Sequence, residues 1–267
     1  ENILQDLKKR VDILKKKNIT PKLVVVLVGD MKASASYVAQ KEKFAAKAGI
    51  KSEVRRFTSE ISEEEILSEI DKINNDTLIH GVIVQLPLPD HISVAKVLNR
   101  IDPSKDVDGF TPSNVGRLFL GEDTLVSCTP KGIMQMLRIS GTDLNGKKIV
   151  IYGGKGIVGG ISAVMCSQFG STCKIVGYDG IQNVKKKAEE YKNRFNVDVI
   201  PVDGSTDELN SSHLPDAQII FCAARAGTQV LSEDQLNDAK NAMVLADVNA
   251  VPPAGLEGVD LKDDDKE

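Results

Sequence analysis

The sequence predicts an α/β protein of two domains, residues 1–127 and 128–267, each built on a parallel sheet. Three observations predict this. Short apolar runs without charge recur along the chain, as buried parallel strands do. Amphipathic stretches at helical spacing separate them, so strand and helix alternate. A stretch rich in Asp, Pro and Gly, 102–111, interrupts the alternation in mid-chain.

In the first series, Ile3, Leu4, Leu7, Val11 and Leu14 recur at helical spacing among lysines, and Pro21 ends that region. Leu23 to Val28 reads as a buried strand closed by Gly29-Asp30. Ser34 is the expected cap of a helix reaching about Ala48, with Gly49 as its stop. Lys51 to Phe57 reads as the second strand. A Glu-rich helix follows, with Ile66, Leu67, Ile70 and Ile73 on its inner side. Gly81 to Gln85 is the third strand, terminated by Pro87 and Pro89.

Thr129-Pro130 reads as an N-cap followed by proline at the first helical position, in a helix carrying Ile133, Met134 and Leu137. Asn145-Gly146 turns the chain into a second strand series: Lys148 to Tyr152, Cys173 to Val176, Val197 to Val202, Gln218 to Cys222 and Met243 to Ala246. Val184 to Phe195 is the clearest helix between them, and 262–267 reads as a solvated acidic tail.

Composition narrows the function classes. A net charge of −4 argues against nucleic-acid binding as the main task. No apolar run of 18 residues predicts a membrane span, and the chain opens on a charged helix rather than a signal peptide. The four cysteines form no C-x-x-C pair, and the three histidines are scattered, so no metal site is expected. Reduced cysteines fit a cytoplasmic protein.

The strand Lys148 to Tyr152 runs into Gly153-Gly154-Lys155-Gly156-Ile157-Val158-Gly159. Gly154, Gly156 and Gly159 meet the G-x-G-x-x-G spacing, following a buried strand and opening a helix. This is the pattern of a Rossmann dinucleotide-binding domain, with the pyrophosphate over the helix N-terminus. Asp179 ends the next strand, where a carboxylate accepts hydrogen bonds from a ribose, although a plain turn aspartate reads the same way. The expected cofactor-binding residues are Thr129, Gly154, Lys155, Gly156, Ile157, Val158, Gly159, Asp179 and Ala223. An aspartate near the ribose leans toward NAD over NADP, and Lys155 is the strongest argument the other way.

Reacting groups are sought in the first domain. Tyr37 and Lys41 are four residues apart and share a helix face. Gln85 ends a buried strand, where ligands bind in open α/β sheets. Asp108 lies in the loop Lys105 to Phe110. Singly, each also reads as an ordinary structural residue.

Together the segments Ser34 to Lys41, Gly81 to Pro89, Lys105 to Phe110 and Cys128 to Gly132, in this order, closely resemble the bifunctional methylenetetrahydrofolate dehydrogenase/cyclohydrolase family, most densely from Pro21 to Leu137. The resemblance implies an N-terminal catalytic domain, a nicotinamide cofactor, a folate or pterin substrate and a homodimer formed through the second domains. It assigns Lys41 as the catalytic lysine of the hydrolytic step, with Gln85 positioning it. Tyr37 lies beside the folate rings and Asp108 on the pterin edge. The methenyl intermediate is a cation, so a lysine beside it is driven toward its neutral, basic form. Hydride transfer needs the folate carbon held against the nicotinamide, so a cleft between the domains is the expected site.

The second half departs from that family. Gly154-Lys155 stands where the family has an Arg-Ser pair. From Gly146 to Pro253 the pattern resembles the methylene-tetrahydromethanopterin and methylene-tetrahydrofolate dehydrogenases of methylotrophic bacteria, through the Gly-rich turn, Lys185 to Val197 and Asp247 to Pro253. The family's glycine- and proline-rich segment and final helix are not read after Asp260. Two alternatives stay open: a dehydrogenase alone, acting on methanopterin or folate, and a nicotinamide-binding regulatory protein without turnover.

Overall fold

The computed structural model describes residues 2–120, 122–249 and 252–259. The expected acidic tail and two residues of the 247–253 segment, Ala250 and Val251, lie outside the described residues. The chain divides into two compact units, Glu1–Cys128 and Thr129–Glu267.

The first unit runs α1 (Asn2–Lys16), β1 (Lys22–Val28), α2 (Lys32–Ala48), β2 (Lys51–Phe57), α3 (Glu63–Asn75), β3 (Gly81–Val84), α4 (Val94–Arg100) and α5 (Pro112–Phe119). Its sheet has the order β2-β1-β3 and is parallel throughout. The central strand β1 is apolar at successive positions because both faces are covered. Val24, Val26 and Val28 pack with Ile66, Ile70 and Ile73 of α3 and Val97 of α4. Val25 and Leu27 turn the other way, onto Val38 of α2.

Gly49 stops α2 as expected, in the left-handed conformation at φ 80°. The start of α2 differs. Lys32 opens the helix and Met31 occupies the cap, so Ser34 lies inside the first turn, buried. Nearby, α3 begins on a true capping box between Ser62 and Glu65.

The helices α4 and α5 were not expected from the sequence. Ser93 caps α4. Thr111 caps α5, its hydroxyl accepting from Asn114 N, with Pro112 in the first turn. That is the cap-then-proline arrangement expected at Thr129-Pro130.

The second unit continues with α6, which starts at Cys128 and reaches Ile139. Thr129 is therefore its second residue rather than its cap. Pro130 is tolerated there because the first N–H groups of a helix have no internal partner. There follow β4 (Lys148–Tyr152), α7 (Ile157–Gln168), β5 (Thr172–Gly177), α8 (Ile181–Phe195), β6 (Val199–Asp203), α9 (Asp207–Ser211), β7 (Ile219–Cys222), α10 (Glu233–Leu236) and β8 (Val244–Asp247). The sheet is parallel, in the order β6-β5-β4-β7-β8. The order reverses at β4, the doubly wound pattern whose strand ends bind dinucleotides.

Candidate active site

The first site forms at the C-terminal edge of the β2-β1-β3 sheet. Gln85 follows β3 directly, and its N–H still donates to Val26 O across the ladder at 2.9 Å. Its side-chain amide donates to Leu86 O at 2.8 Å, which leaves Oε1 free to face elsewhere. That oxygen accepts from Lys41 Nζ at 3.2 Å. Asp108 Oδ2 lies 4.0 Å from the same ammonium. Two side chains, one from a strand end and one from a loop, thus converge on the amine that α2 presents. Tyr37 sits one turn before Lys41 on α2 and is 39% exposed.

The loop holding Asp108 is more ordered than its composition suggests. Its centre pairs with β3 as an isolated parallel bridge, Val82 to Asp106. Val82 N donates to Lys105 O at 2.7 Å, and Val107 N to Val82 O at 3.3 Å. Lys105 Nζ donates to the carbonyls of Ile73, Asn74 and Asp76 at 2.8 Å each, closing the end of α3. Asp106 is 2% exposed, and its Oδ2 accepts from Thr111 N at 2.7 Å and Asn114 Nδ2 at 3.0 Å.

Gly109 turns the chain at φ 63°, and a Cβ there would lie 2.5 Å from Ser127 N. Only glycine admits both that turn and that approach. Cys128 Sγ donates to Val107 O at 3.1 Å. Burial pushes the Asp108 carboxyl above its ordinary range; Lys41 pulls it down and the neighbouring Asp106 charge pushes it up. Lys105, Asp106 and Asn114 were missed in the sequence. Nothing in the run Asp106-Val107-Asp108 distinguishes the anchoring aspartate from the one aimed at Lys41.

The second site is the turn after β4. Gly153 has φ 77°. A Cβ on Gly154 would lie 2.6 Å from Ile175 Cγ2 of β5, and one on Gly159 would lie 2.5 Å from Gly153 O. At Gly156 a Cβ would meet one atom within 4 Å, Gly153 O at 3.3 Å, a close contact on the inner side of the turn alone. Gly156 caps α7 with no side chain bonded to the first turn. Ile157 and Val158 open that helix, and Tyr191 of α8 donates to Gly154 O at 2.7 Å. This cradle fits a phosphate: backbone approach at the second glycine, tight packing at the first and third.

Ala223 follows β7 and meets the turn, its N–H donating to Tyr152 O at 2.9 Å. Asp179 lies just past β5. Lys155 Nζ pairs with its Oδ1, while Asn183 Nδ2 donates to its Oδ2 at 3.1 Å. The Lys155 hydrogen bond holds the Asp179 carboxyl below the usual range. Thr129 is exposed in the first turn of α6.

Residues 1–108 match the family described as tetrahydrofolate dehydrogenase/cyclohydrolase, catalytic domain. The bifunctional protein FolD of Staphylococcus haemolyticus is 38% identical over 248 residues, which is 93% of this chain and 76% of that protein. The chain belongs to the tetrahydrofolate dehydrogenase/cyclohydrolase family. The relation runs through both units, since the aligned stretch is longer than either. The FolD protein of Bacillus subtilis is 50% identical over 155 residues, 58% of this chain. The chain spans about half of that relative's length, 55%. The crystal structure of the bifunctional FolD enzyme of Campylobacter jejuni superposes with a TM-score of 0.78 at 34% identity, covering 96% of this chain and 82% of that one. Lys41, Gln85 and Asp108 all fall inside the stretch matched to the family's catalytic domain.

Proposed function

We propose that this chain oxidises 5,10-methylenetetrahydrofolate to its 5,10-methenyl form with NAD or NADP, and hydrolyses that product to 10-formyltetrahydrofolate. The observation that carries this reading is the convergence of Gln85 Oε1 and Asp108 Oδ2 on Lys41 Nζ, at 3.2 and 4.0 Å, in a chain of this family.

The hydrolytic step needs a base beside a cation. Water oxygen bonds to the methenyl carbon as the Lys41 amine takes one of its protons. The carbon–N5 bond then breaks, N5 takes the proton from Lys41, and the remaining hydroxyl proton leaves to solvent. Gln85, fixed by its bond to Leu86 O, holds the amine in line. Asp108 suits the N–H donors of a pterin edge, and Tyr37 offers a face to the folate rings.

The Gly-rich turn, with Ile157, Val158, Thr129, Asp179 and Ala223, is the proposed holder of the nicotinamide dinucleotide. When bound, its ring accepts the hydrogen and electron pair leaving the folate carbon. The free N–H groups at the start of α7 and the dipole there favour its phosphates. Asp179 favours an unphosphorylated ribose, so NAD is the expected cofactor. The proposal includes a homodimer and a cytoplasmic setting; among the described residues no helix is long and apolar enough to cross a membrane.

A second reading, a dehydrogenase acting on a different pterin, draws on one feature. The turn carries Gly154-Lys155 where the sequence reading has the family's Arg-Ser pair, and Lys155 pairs with Asp179.

Spectrophotometry with methylenetetrahydrofolate and each cofactor tests the first step, and decay of methenyl absorbance tests the second. Reduced-cofactor absorbance should grow faster with NAD. A tenfold preference for NADP in kcat/KM, about 1.4 kcal/mol, would show that Asp179 does not govern the ribose. Cofactor binding without turnover would favour a regulatory binder.

A further inference from the structure

The Gly-rich turn contributes a side chain as well as a backbone cradle. Lys155 leaves the turn and reaches the end of the neighbouring strand, where its ammonium contacts Asp179 Oδ1. The contact lies directly over Gly177: a Cβ placed there would be 3.5 Å from Asp179 Oδ1 and 3.6 Å from Lys155 Cε. Asn183, in the first turn of α8, grips Asp179 from the other side, donating to Oδ2 and to the backbone carbonyl at 3.1 Å each. Both carboxylate oxygens are thereby oriented. Lys155 and Asp179 together bring no net charge to the strand end.

We infer that Lys155 sets the cofactor ratio, neutralising Asp179 so that a 2′-phosphate is disfavoured rather than excluded, and supplying the cation that holds one when Asp179 is removed. This rests on the reading of the turn as the nicotinamide-dinucleotide site. A ribose hydroxyl donates to Asp179 without disturbing the pair. A 2′-phosphate carries close to two negative charges and meets a paired carboxylate rather than a bare one.

An exposed ion pair is weak, so the lysine can exchange partners. With Asp179 gone it becomes a point-charge phosphate ligand of the kind lysines provide in nucleotide sites. Lys155 and Asp179 therefore have opposite effects on one ratio, and the effect of each depends on the other.

The test uses the full chain and two soluble probes that differ only in the 2′-phosphate, 5′-AMP and adenosine 2′,5′-bisphosphate, with binding measured by titration calorimetry. Lys155→Met should weaken the bisphosphate relative to 5′-AMP by about tenfold, the scale of one unscreened charge a few ångströms away in water. Asp179→Asn should shift the ratio about tenfold the other way, and Lys155→Met in that background should abolish the gain. The bisphosphate preference of Asp179→Asn should also fade with added salt. If both probes bind the unaltered chain but Lys155→Met leaves the ratio unmoved in both backgrounds, the inference is overturned while the cofactor reading stands. If neither probe binds the unaltered chain, the cofactor reading fails and the inference falls with it.

Discussion

Replacing Lys41 by methionine separates the two chemical steps, and the structure sets what each should lose. The methionine keeps a similar length along α2 but removes the hydrogen bond to Gln85 Oε1 and the charge 4.0 Å from Asp108. If Lys41 acts only as a holder, the loss is that of a charge-assisted hydrogen bond. That is about 1.5–3 kcal/mol, or roughly 10- to 150-fold, and it falls on both steps because both use the same bound folate. If Lys41 is the base, hydrolysis loses a further factor of about 10²–10⁴, which oxidation does not share. The expected outcome is undetectable decay of methenyl absorbance with measurable growth of reduced cofactor. Loss of both rates by the same factor would refute the base assignment. A second readout follows from burial. Lys41 now holds Asp108 down against desolvation, so in Lys41→Met the Asp108 carboxyl titrates higher. The acid limb of the dehydrogenase profile should therefore move to higher pH.

Asp106→Ala removes the single oxygen, Oδ2, that accepts from both Thr111 N and Asn114 Nδ2. It should cost about 1–3 kcal/mol in denaturant unfolding and lower both activities together; an unchanged unfolding midpoint would count against the anchoring role. Gly159→Ala places a methyl 2.5 Å from Gly153 O. The backbone must shift, at about 1–3 kcal/mol, seen as a lower Tm and weaker nucleotide binding; a Tm equal to that of the unaltered chain would mean the turn is not packed as described. His213 is buried against Tyr152, and desolvation lowers its pKa from 6.5 to about 4. The unfolded chain takes up the proton below about pH 6.5 while the folded chain stays neutral to about 4, so stability falls as pH falls through that window. The loss is up to about 3 kcal/mol, and His213→Gln should flatten this part of a pH–stability curve; an identical curve would remove the histidine from the account.

Central strands were legible because a buried parallel strand has no polar face to interrupt its apolar run, and Lys148–Tyr152 matches the expected bounds; Lys51–Phe57 matches them too, although it is a charged, part-buried edge strand. Helix starts were harder to read. Thr111-Pro112 and Thr129-Pro130 carry the same signal, yet only Thr111 caps its helix, while α6 begins before Thr129. A local signal states what a residue can do at a helix start, and the packing of the chain before it decides where the helix starts. The short helices α4, α9 and α10 were missed for a related reason. Each starts on a serine or threonine that accepts from the first turn, but each is too brief to show an apolar period.

By itself the sequence determined the two parallel sheets, the Gly-rich turn between β4 and α7, and the candidates Tyr37, Lys41, Gln85 and Asp108, because apolar period, glycine spacing and motif order are local properties. Only the tertiary structure decided that Gln85 and Asp108 meet on one amine, since that contact spans 44 residues to one partner and a loop anchored by Lys105 and Asp106 to the other. It also decided that Lys155 answers Asp179 across a strand end. Charge pairs of this kind depend on which strand ends lie side by side, and the order β6-β5-β4-β7-β8 is a property of the folded sheet, not of any segment within it.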